Sequence, residues 1–418
     1  MSKYFSIGIK IKNIFFIALY FFIFSPLTPT HAQSGAFNTF YWLAAGDDEA
    51  FKENKRINFP NQDTIGLMAK YEINSLSAGL NLNFNNKQKI TFDNSYFDFK
   101  IKNGVIGIGK ISRNWSFSQN TSLFLSHNAR PAKSIYVNLN NQTNSYLQQT
   151  EISKNWSFEI YNSLPNNSNG PKNAMMLGMR ATITPIKNLN IEFLKISQWG
   201  GKEYQNNFSS LAKAVIGNTN DGPHANINQV AGLGYSYLLS SNDFSIRNYG
   251  QVLGEDEAGN LPSCLIYMSG MELKNLNSKF NPTFGLEILD TRVGYTTNGF
   301  CGPNTAYNNN TYQYTNYGKV MGTSIDTEGK SIHLWNTTKI SKELSINFSI
   351  KNIVINDNNW VNHRLSSTRS NGLSQSLSVN WHEKDLNLTA TIHNHNIDLN
   401  RFNKNKGLGF KIYLSNIF

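Results

Sequence analysis

Alternation with a period of two recurs along most of this chain, and no other feature limits its fold so tightly. Leu344, Ile346, Phe348 and Ile350 oppose Glu343, Ser345, Asn347, Ser349 and Lys351. Leu373, Leu377, Val379 and Trp381 oppose Ser374, Ser376, Ser378, Asn380 and His382. Leu386, Leu388, Ala390 and Ile392 oppose Asn387, Thr389, Thr391 and His393; near the start, Leu76, Ala78, Leu80, Leu82 and Phe84 oppose Ser77, Gly79, Asn81 and Asn83. Side chains that alternate in this way lie on strands with one apolar face, since a helix would show a period of 3.6. Asn103-Gly104 and Asn371-Gly372 read as type I′ hairpin turns. Helical character is confined to "GDDEAFKEN" and "NNFSSLAKAVIG", each long enough for a short helix outside the strands.

Some 350 residues alternate without a linker or a shift in composition. A soluble sandwich would divide such a length into domains of ~100 residues, each with two sheets burying their apolar faces together. Closing a single sheet into a barrel removes its edges and lets lipid cover the apolar face. At roughly 20 residues per strand and turn, Leu67 to Phe418 supplies about 16 to 18 strands. The negative mean hydropathy, −0.40, fits a barrel whose alternate residues alone meet lipid. An aromatic content of 13% suits girdles at the two membrane interfaces. The final strand, "GLGFKIYLSNIF", sets Leu408, Phe410, Ile412, Leu414 and Phe418 on one face. That ending resembles the signal that outer-membrane barrels present to their insertion machinery. The expected fold is all-β: a transmembrane antiparallel β-barrel in the outer membrane of a Gram-negative bacterium.

At the other terminus, Lys3, Lys10 and Lys12 precede the unbroken apolar run Ile14 to Phe24. Pro26 and Pro29 break the run before Ala32, so residues 1–32 read as a cleaved signal peptide. The run is too short for a spanning helix, which needs ~20 residues. Residues 33–66 read as an N-terminal periplasmic segment with room for a short helix, and residues 67–418 as the barrel. The net charge of +11 falls to 11 − 3 = +8 without the three leader lysines. That balance favours acidic partners such as anionic glycans or lipopolysaccharide phosphates. No compact Lys/Arg run of the kind that binds nucleic acid is present. Cys264 and Cys301, the only two cysteines, are candidates for a disulfide in an oxidising compartment.

Four segments carry a more specific resemblance. "TSLFLSHNARP" (Thr121 to Pro131) is similar to the "SLxLSxNARP" stretch of the capsule-assembly Wzi family. "NIEFLKISQWGG" (Asn190 to Gly201) resembles that family's strand ending in Gln-Trp-Gly-Gly. "YGQVLGEDEAGNLPS" (Tyr249 to Ser263) resembles its "YGQxxGEDEAGxLPS" element closely, and "YGKVMGTSIDTEG" (Tyr317 to Gly329) matches a later stretch more loosely. Where the family carries Trp-Trp-Gly-Pro-Gly before "NARP", this chain reads "SRNWSFSQN" and keeps Trp115 alone. The family's helical periplasmic region has only about 34 residues to occupy here, between Ala32 and Leu67. The resemblance implies a monomeric barrel of 18 strands that acts as a surface lectin, holding acidic capsular polysaccharide without catalysis and without a cofactor.

The motifs themselves nominate residues. Arg130 precedes Pro131, which places it at a strand end or loop, and its planar donor fork suits uronate carboxylates. Lys133 adds a positive charge nearby. Gln198 and Trp199 make a sugar platform, the ring for an apolar sugar face and the amide for hydroxyls. Each of these four has a plainer use, anchoring a loop in the barrel mouth or seating an aromatic at the interface. Glu255, Asp256 and Glu257 read as a lumen charge network; glycoside hydrolysis or calcium ligation are the other uses of such a cluster. His382, His393 and His395 lack a fourth ligand and read as lumen hydrogen-bonding groups rather than a metal site. Two functions of different class stay open, a polysaccharide-attachment lectin and an outer-membrane porin or substrate-specific channel. An open, charge-lined lumen is what separates them.

Overall fold

The computed structural model describes residues 36–47, 51, 53, 64–85, 90–141, 156–167, 170–217, 227–258, 261–295, 301–401 and 406–417; the side chains of residues 36, 37, 257, 258, 261 and 417 lie outside that description. The expected signal peptide and Phe418 fall outside it as well. The strands in chain order are β1 (Ala36–Gly46), β2 (Thr64–Ile73), β3 (Leu76–Asn85), β4 (Ile90–Thr91), β5 (Tyr96–Ile101), β6 (Gly104–Gly109) and β7 (Lys133–Asn140). Then come β8 (Ser157–Leu164), β9 (Met175–Ile186), β10 (Leu189–Trp199), β11 (Asn228–Ser240), β12 (Phe244–Ala258), β13 (Leu261–Asn275) and β14 (Thr283–Asp290). The last are β15 (Thr315–Asn316), β16 (Lys319–Val320), β17 (Lys330–Lys339), β18 (Leu344–Ile355), β19 (Ser370–Glu383), β20 (Leu386–His395) and β21 (Gly407–Ile417).

Successive wall strands pair antiparallel, and β21 returns to β1 with Phe40 facing Ile417 and Gly46 facing Lys411, which closes the ring. β4 prolongs β5 along β3, and β15 with β16 forms a separate ribbon, so the wall has 18 strands. The barrel therefore begins at Ala36, ahead of the Leu67 start expected from strand counting. β1 supplies the partner that β21 needs if no edge is to be left open.

The alternation sorts the wall into two environments. Leu80, Phe84, Phe348, Leu377, Ile392 and Phe410 are exposed on the outer face, while Asn81, Asn83, Ser376, Ser378, Thr391 and His393 are buried inside. Close packing inside relies on missing Cβ atoms at the crowded points. A Cβ on Gly270 would stand 2.3 Å from the Tyr249 ring, so the glycine makes room for a fully buried aromatic. Short turns at 74–75, 102–103, 187–188 and 384–385 share one end of the barrel with the last residues of β21. The long connections 110–132, 200–227, 291–329 and 356–369 share the other. In outer-membrane barrels the short turns are periplasmic and the long loops extracellular.

Four local expectations meet different fates. The first hairpin is present, with Lys102 and Asn103 as its turn residues and Gly104 already paired with Leu139. Asn371-Gly372 is not a turn: both lie inside β19, opposite Val354 and Ile353 of β18. Gly372 is there because a Cβ would meet Asn396 Oδ1 at 2.1 Å, and that oxygen accepts from Leu373 N at 2.7 Å. In "GDDEAFKEN" the described residues Asp47, Phe51 and Glu53 are not helical, and Phe51 has φ 60°. "NNFSSLAKAVIG" does form a helix, α1 (Phe208–Ile216), capped by Asn207, whose side chain accepts from Ser210 N, and by Gly217 at φ 102°.

Candidate functional site

The connection 110–132 enters the barrel instead of covering it. Leu123 and Phe124 are fully buried, and Trp115 nearly so. Its polar atoms are met by the inner wall. Gln251 on β12 donates to Trp115 O at 2.7 Å and accepts from Leu123 N at 2.8 Å. Arg247, also on β12, donates to Phe117 O at 2.6 Å, and Ser118 donates to Glu287 on β14 at 2.5 Å. On the near wall Trp115 Nε1 donates to Glu159 on β8 at 3.0 Å. β7 and β14 are seven strands apart in the ring of 18, so this segment is held across the lumen from one wall almost to the opposite one.

A second connection, 291–329, lies on the first. Tyr307 Oη donates to Leu123 O at 2.7 Å, Tyr314 Oη donates to Phe124 O at 3.0 Å, and Ser126 donates to Gly322 O at 2.6 Å. Burial raises the pKa of both phenols far above the ordinary tyrosine value, so they remain donors at any physiological pH. Cys264 of β13 and Cys301 form a disulfide with a Cα–Cα distance of 5.4 Å, which ties this connection to the wall.

Two surfaces remain at the loop end. The first surrounds Arg130. Its Nε and Nη2 donate to Asp93 at 2.6 and 3.0 Å, Lys110 reaches the same carboxylate at 2.8 Å, and its guanidinium lies 4.5 Å from the centroid of the Tyr317 ring. Tyr317 stands at the tip of the β15–β16 ribbon, where it and Gly318 both take positive φ, and the residue is 42% exposed. Asn316 Nδ2 donates to Arg130 O at 2.7 Å and pins the ribbon to the "NARP" segment. A cleft with about 40 Å³ of free volume opens beside Arg130, Ala129 and Asn316 and runs in toward Arg113 and Tyr161.

The second surface is the connection 356–369 with its neighbours. Asp357 accepts from Arg369 Nε at 2.7 Å and Arg292 Nη1 at 2.9 Å, and Lys330 lies 3.9 Å away. The Arg369 bond, aided by Arg292 and working against partial burial, holds the Asp357 carboxyl below the usual carboxylate range. Arg292 also pairs with Asp290 at 2.6 Å, which leaves three cations around two carboxylates at an exposed rim. Half-buried Trp360 is next to this cluster, its backbone N donating to Asn356 Oδ1 at 2.7 Å.

The residues nominated from sequence fare unequally. Arg130 is at the mouth, and its donors are engaged by Asp93. Lys133 opens β7 on the outward parity shared with exposed Ile135, so it faces away from the Arg130 cleft. Gln198 is buried inside, donating to Gln313 O at 2.9 Å and accepting from Asn228 at 3.0 Å. Trp199 is 4% exposed, packed with Leu177 and Ala214 beneath α1, and presents no ring face to a sugar. The acidic run does not act as one network: the pleat sends Glu255 inward, where it accepts from Tyr307 N at 2.6 Å, and leaves Asp256 exposed. The Glu257 side chain lies outside the described residues. The lumen charge pairs are instead Arg180–Glu192 at 2.6 Å, Arg247–Glu272 at 2.6 Å and Arg113–Glu159 at 2.7 Å. His393 and His395 are buried in the lumen, His393 against Asp47 O at 2.9 Å, and His382 is exposed. No group of three or more metal-ligating side chains occurs among the described residues.

Tyr317, Asp93, Arg292, Asp357, Trp360 and Arg369 were not nominated from sequence. Asp93 and Tyr317 meet Arg130, and Arg292 meets Asp357, only across long stretches of chain, and only Tyr317 had a sequence signal, as the first residue of the loosest family match.

An 18-stranded barrel with an apolar outer band, long loops at one end and two of those loops packed into its mouth is an outer-membrane β-barrel of the plugged kind. The chain belongs to the capsule assembly protein Wzi family, whose profile it matches over residues 40–407. Its fold is similar to that of Wzi from Escherichia coli, described as an outer membrane protein involved in group 1 capsule assembly and a carbohydrate binding β-barrel. The TM-score is 0.71 at 20% identity, over 92% of this chain and 85% of that one. OprD from Pseudomonas aeruginosa is similar at a TM-score of 0.53 and 12% identity, over 93% and 96% of the two chains. An uncharacterised 55.8 kDa protein in the cps region of Klebsiella pneumoniae is 27% identical over 210 residues. That match takes in 50% of this chain and 42% of the relative, less than half the relative's length.

Proposed function

We propose that this protein binds acidic capsular or other surface polysaccharide at the outer face of the outer membrane and holds it there without chemical change, as a monomer. The observation that carries the reading is the closed mouth. Buried segments of two loops are bonded to walls almost opposite one another, so the loop end offers a surface and not a path. Family membership and the carbohydrate binding of the similar E. coli barrel support it. The residues offered to the polymer are Tyr317 beside Arg130, and Trp360 beside Arg292 and Arg369. An aromatic open to solvent on part of its surface, with a cation near it, stacks on a sugar ring while the cation meets its carboxylate. Anionic lipopolysaccharide outside the wall is the partner for outward Lys133, and the insertion machinery is the partner for the C-terminal strand.

The similarity to OprD favours a channel as the second reading. One set of purified samples separates the two. Planar-bilayer recordings are expected to show no steady conductance. Immobilised acidic polysaccharide is expected to retain the protein, less so after Arg369→Ala, with the loss largest at low salt because exposed charges are screened over ~8 Å at physiological ionic strength. Trp360→Ala is expected to weaken binding with little salt dependence. Conductance together with no retention of the wild type would leave the channel.

A further inference from the structure

Two buried donors beside the Arg130 cleft have no protein partner. Arg113 is 8% exposed at its side chain; its Nε donates to Glu159 at 2.7 Å and its Nη1 to Ile111 O and Ser134, but its Nη2 is unmatched. The Tyr161 hydroxyl, on a residue 2% exposed, is unmatched as well. Both residues line the same cleft. The Arg113 guanidinium lies over the Tyr161 ring, 4.2 Å from its centroid, so the two unmatched groups belong to one packed unit.

An unmatched buried donor carries a desolvation cost that no bond in the protein offsets. Phenylalanine at 161 would keep the ring, its edge contact with Trp115 at 5.3 Å and its stacking on Arg113, without that cost. The hydroxyl therefore calls for an acceptor brought from outside. Three other polar side chains of the cleft are engaged elsewhere. Ser126 donates to Gly322 O, Ser163 to Met176 O, and Asn316 to Arg130 O. Arg113, Arg130 and Lys110 set three positive charges against the carboxylates of Glu159 and Asp93. A carboxylate suits this place: it accepts from both donors, completes the charge balance, and matches a volume of about 40 Å³.

We infer that the cleft is a subsite for the carboxylate of an acidic sugar residue, with Arg113 Nη2 and Tyr161 Oη as its donors and the Tyr317 ring at its mouth. This rests on the polysaccharide reading above and narrows it to one acid group. It also explains why the segment between Ile111 and Ala132 is held so firmly: both of its ends line the cleft.

The test uses the full chain in detergent with two probes, an oligosaccharide of uronic acid and a neutral hexose oligosaccharide of equal length, measured by calorimetry. Wild type is expected to prefer the uronate. Tyr161→Phe is expected to lose roughly tenfold in affinity for the uronate, the scale of a hydrogen bond to a charged group, with no loss for the neutral probe and an unchanged or higher Tm. Arg113→Lys, which keeps the charge but not the fork, is expected to lose a similar factor. If wild type binds the uronate and Tyr161→Phe binds it equally, the cleft holds water only and the inference fails while the polysaccharide reading stands. A fall in Tm in Tyr161→Phe makes the hydroxyl structural and also overturns it. If wild type binds neither probe, both readings fall together.

Discussion

β18 and β19 pair without interruption from Leu344 opposite Trp381 to Ile355 opposite Ser370, and their outward Phe348 and Leu377 rest in lipid. Residues 115–126, a run of the same length, have backbone bonds at only two points, Trp115 N to Leu125 O and Ser126 N to Met321 O. Side chains of β12, of the connection 291–329 and of the segment's own serines satisfy much of the rest of that backbone. The wall is a repeated solution, in which every strand meets its backbone needs on its neighbours and one side chain in two needs only to be apolar. The plug is a set of individual solutions, each requiring one residue at one place. Substitutions in the wall should therefore be absorbed, and those at the contacts between wall and plug should not.

The strongest way to break this contrast is to replace residues 115–125 with a Gly/Ser linker. The wall is expected to survive, keeping its heat-modifiable form on gels, while bilayer conductance rises roughly tenfold or more over the intact protein because the lumen is no longer crossed. Loss of the heat-modifiable form would show that the wall needs its plug.

Cys301→Ser removes a bridge spanning 37 residues. Chain entropy assigns such a loop about 4 kcal/mol, and the effect is expected in the connection 291–329 and not in the wall. Limited proteolysis of membrane-embedded protein should show cuts within that connection and an intact barrel core. Gln251→Leu comes next. It leaves Trp115 O and Leu123 N without their wall partner, a cost of about 2–3 kcal/mol, read as faster amide exchange in residues 115–125 at unchanged wall protection.

The smallest effect sharpens the comparison by pH. His363 is fully buried in the connection 356–369; Thr327 O lies 3.0 Å from its Nε2, and its Nδ1 accepts from Leu365 N at 3.2 Å. Those bonds require the neutral ring, and burial lowers its pKa from the ordinary 6.5, against the pull of Asp326. The undocked loop thus takes up a proton that the docked loop refuses. Docking is at full strength above pH 6.5 and weakens as pH falls from there toward the depressed value. Protease sensitivity of this connection should rise over that interval in wild type and stay flat in His363→Gln, with the wall unchanged in both.

Much of the wall was legible in the order of residues. A period of two needs only near neighbours, and the faces read for Leu344–Ile350, Leu373–Trp381 and Leu408–Leu414 are the outward faces of β18, β19 and β21. The short helix over Phe208–Ile216 was legible for the same reason, since Asn207 and Gly217 cap it locally. The errors arose where a local signal met a distant neighbour. Asn371-Gly372 looked like a turn, yet the glycine answers to Asn396. Trp199 looked like an open platform, yet α1 lies over it. The candidate site is decided almost wholly by such distant meetings: Arg130 with Asp93 and Tyr317, Asp357 with Arg292 and Arg369, Arg113 with Tyr161. Alternation along a strand is determined by the pleat, which the chain carries within itself. Which carboxylate meets which guanidinium across a lumen depends on closing the ring and folding the loops into it, and only the tertiary structure decides that.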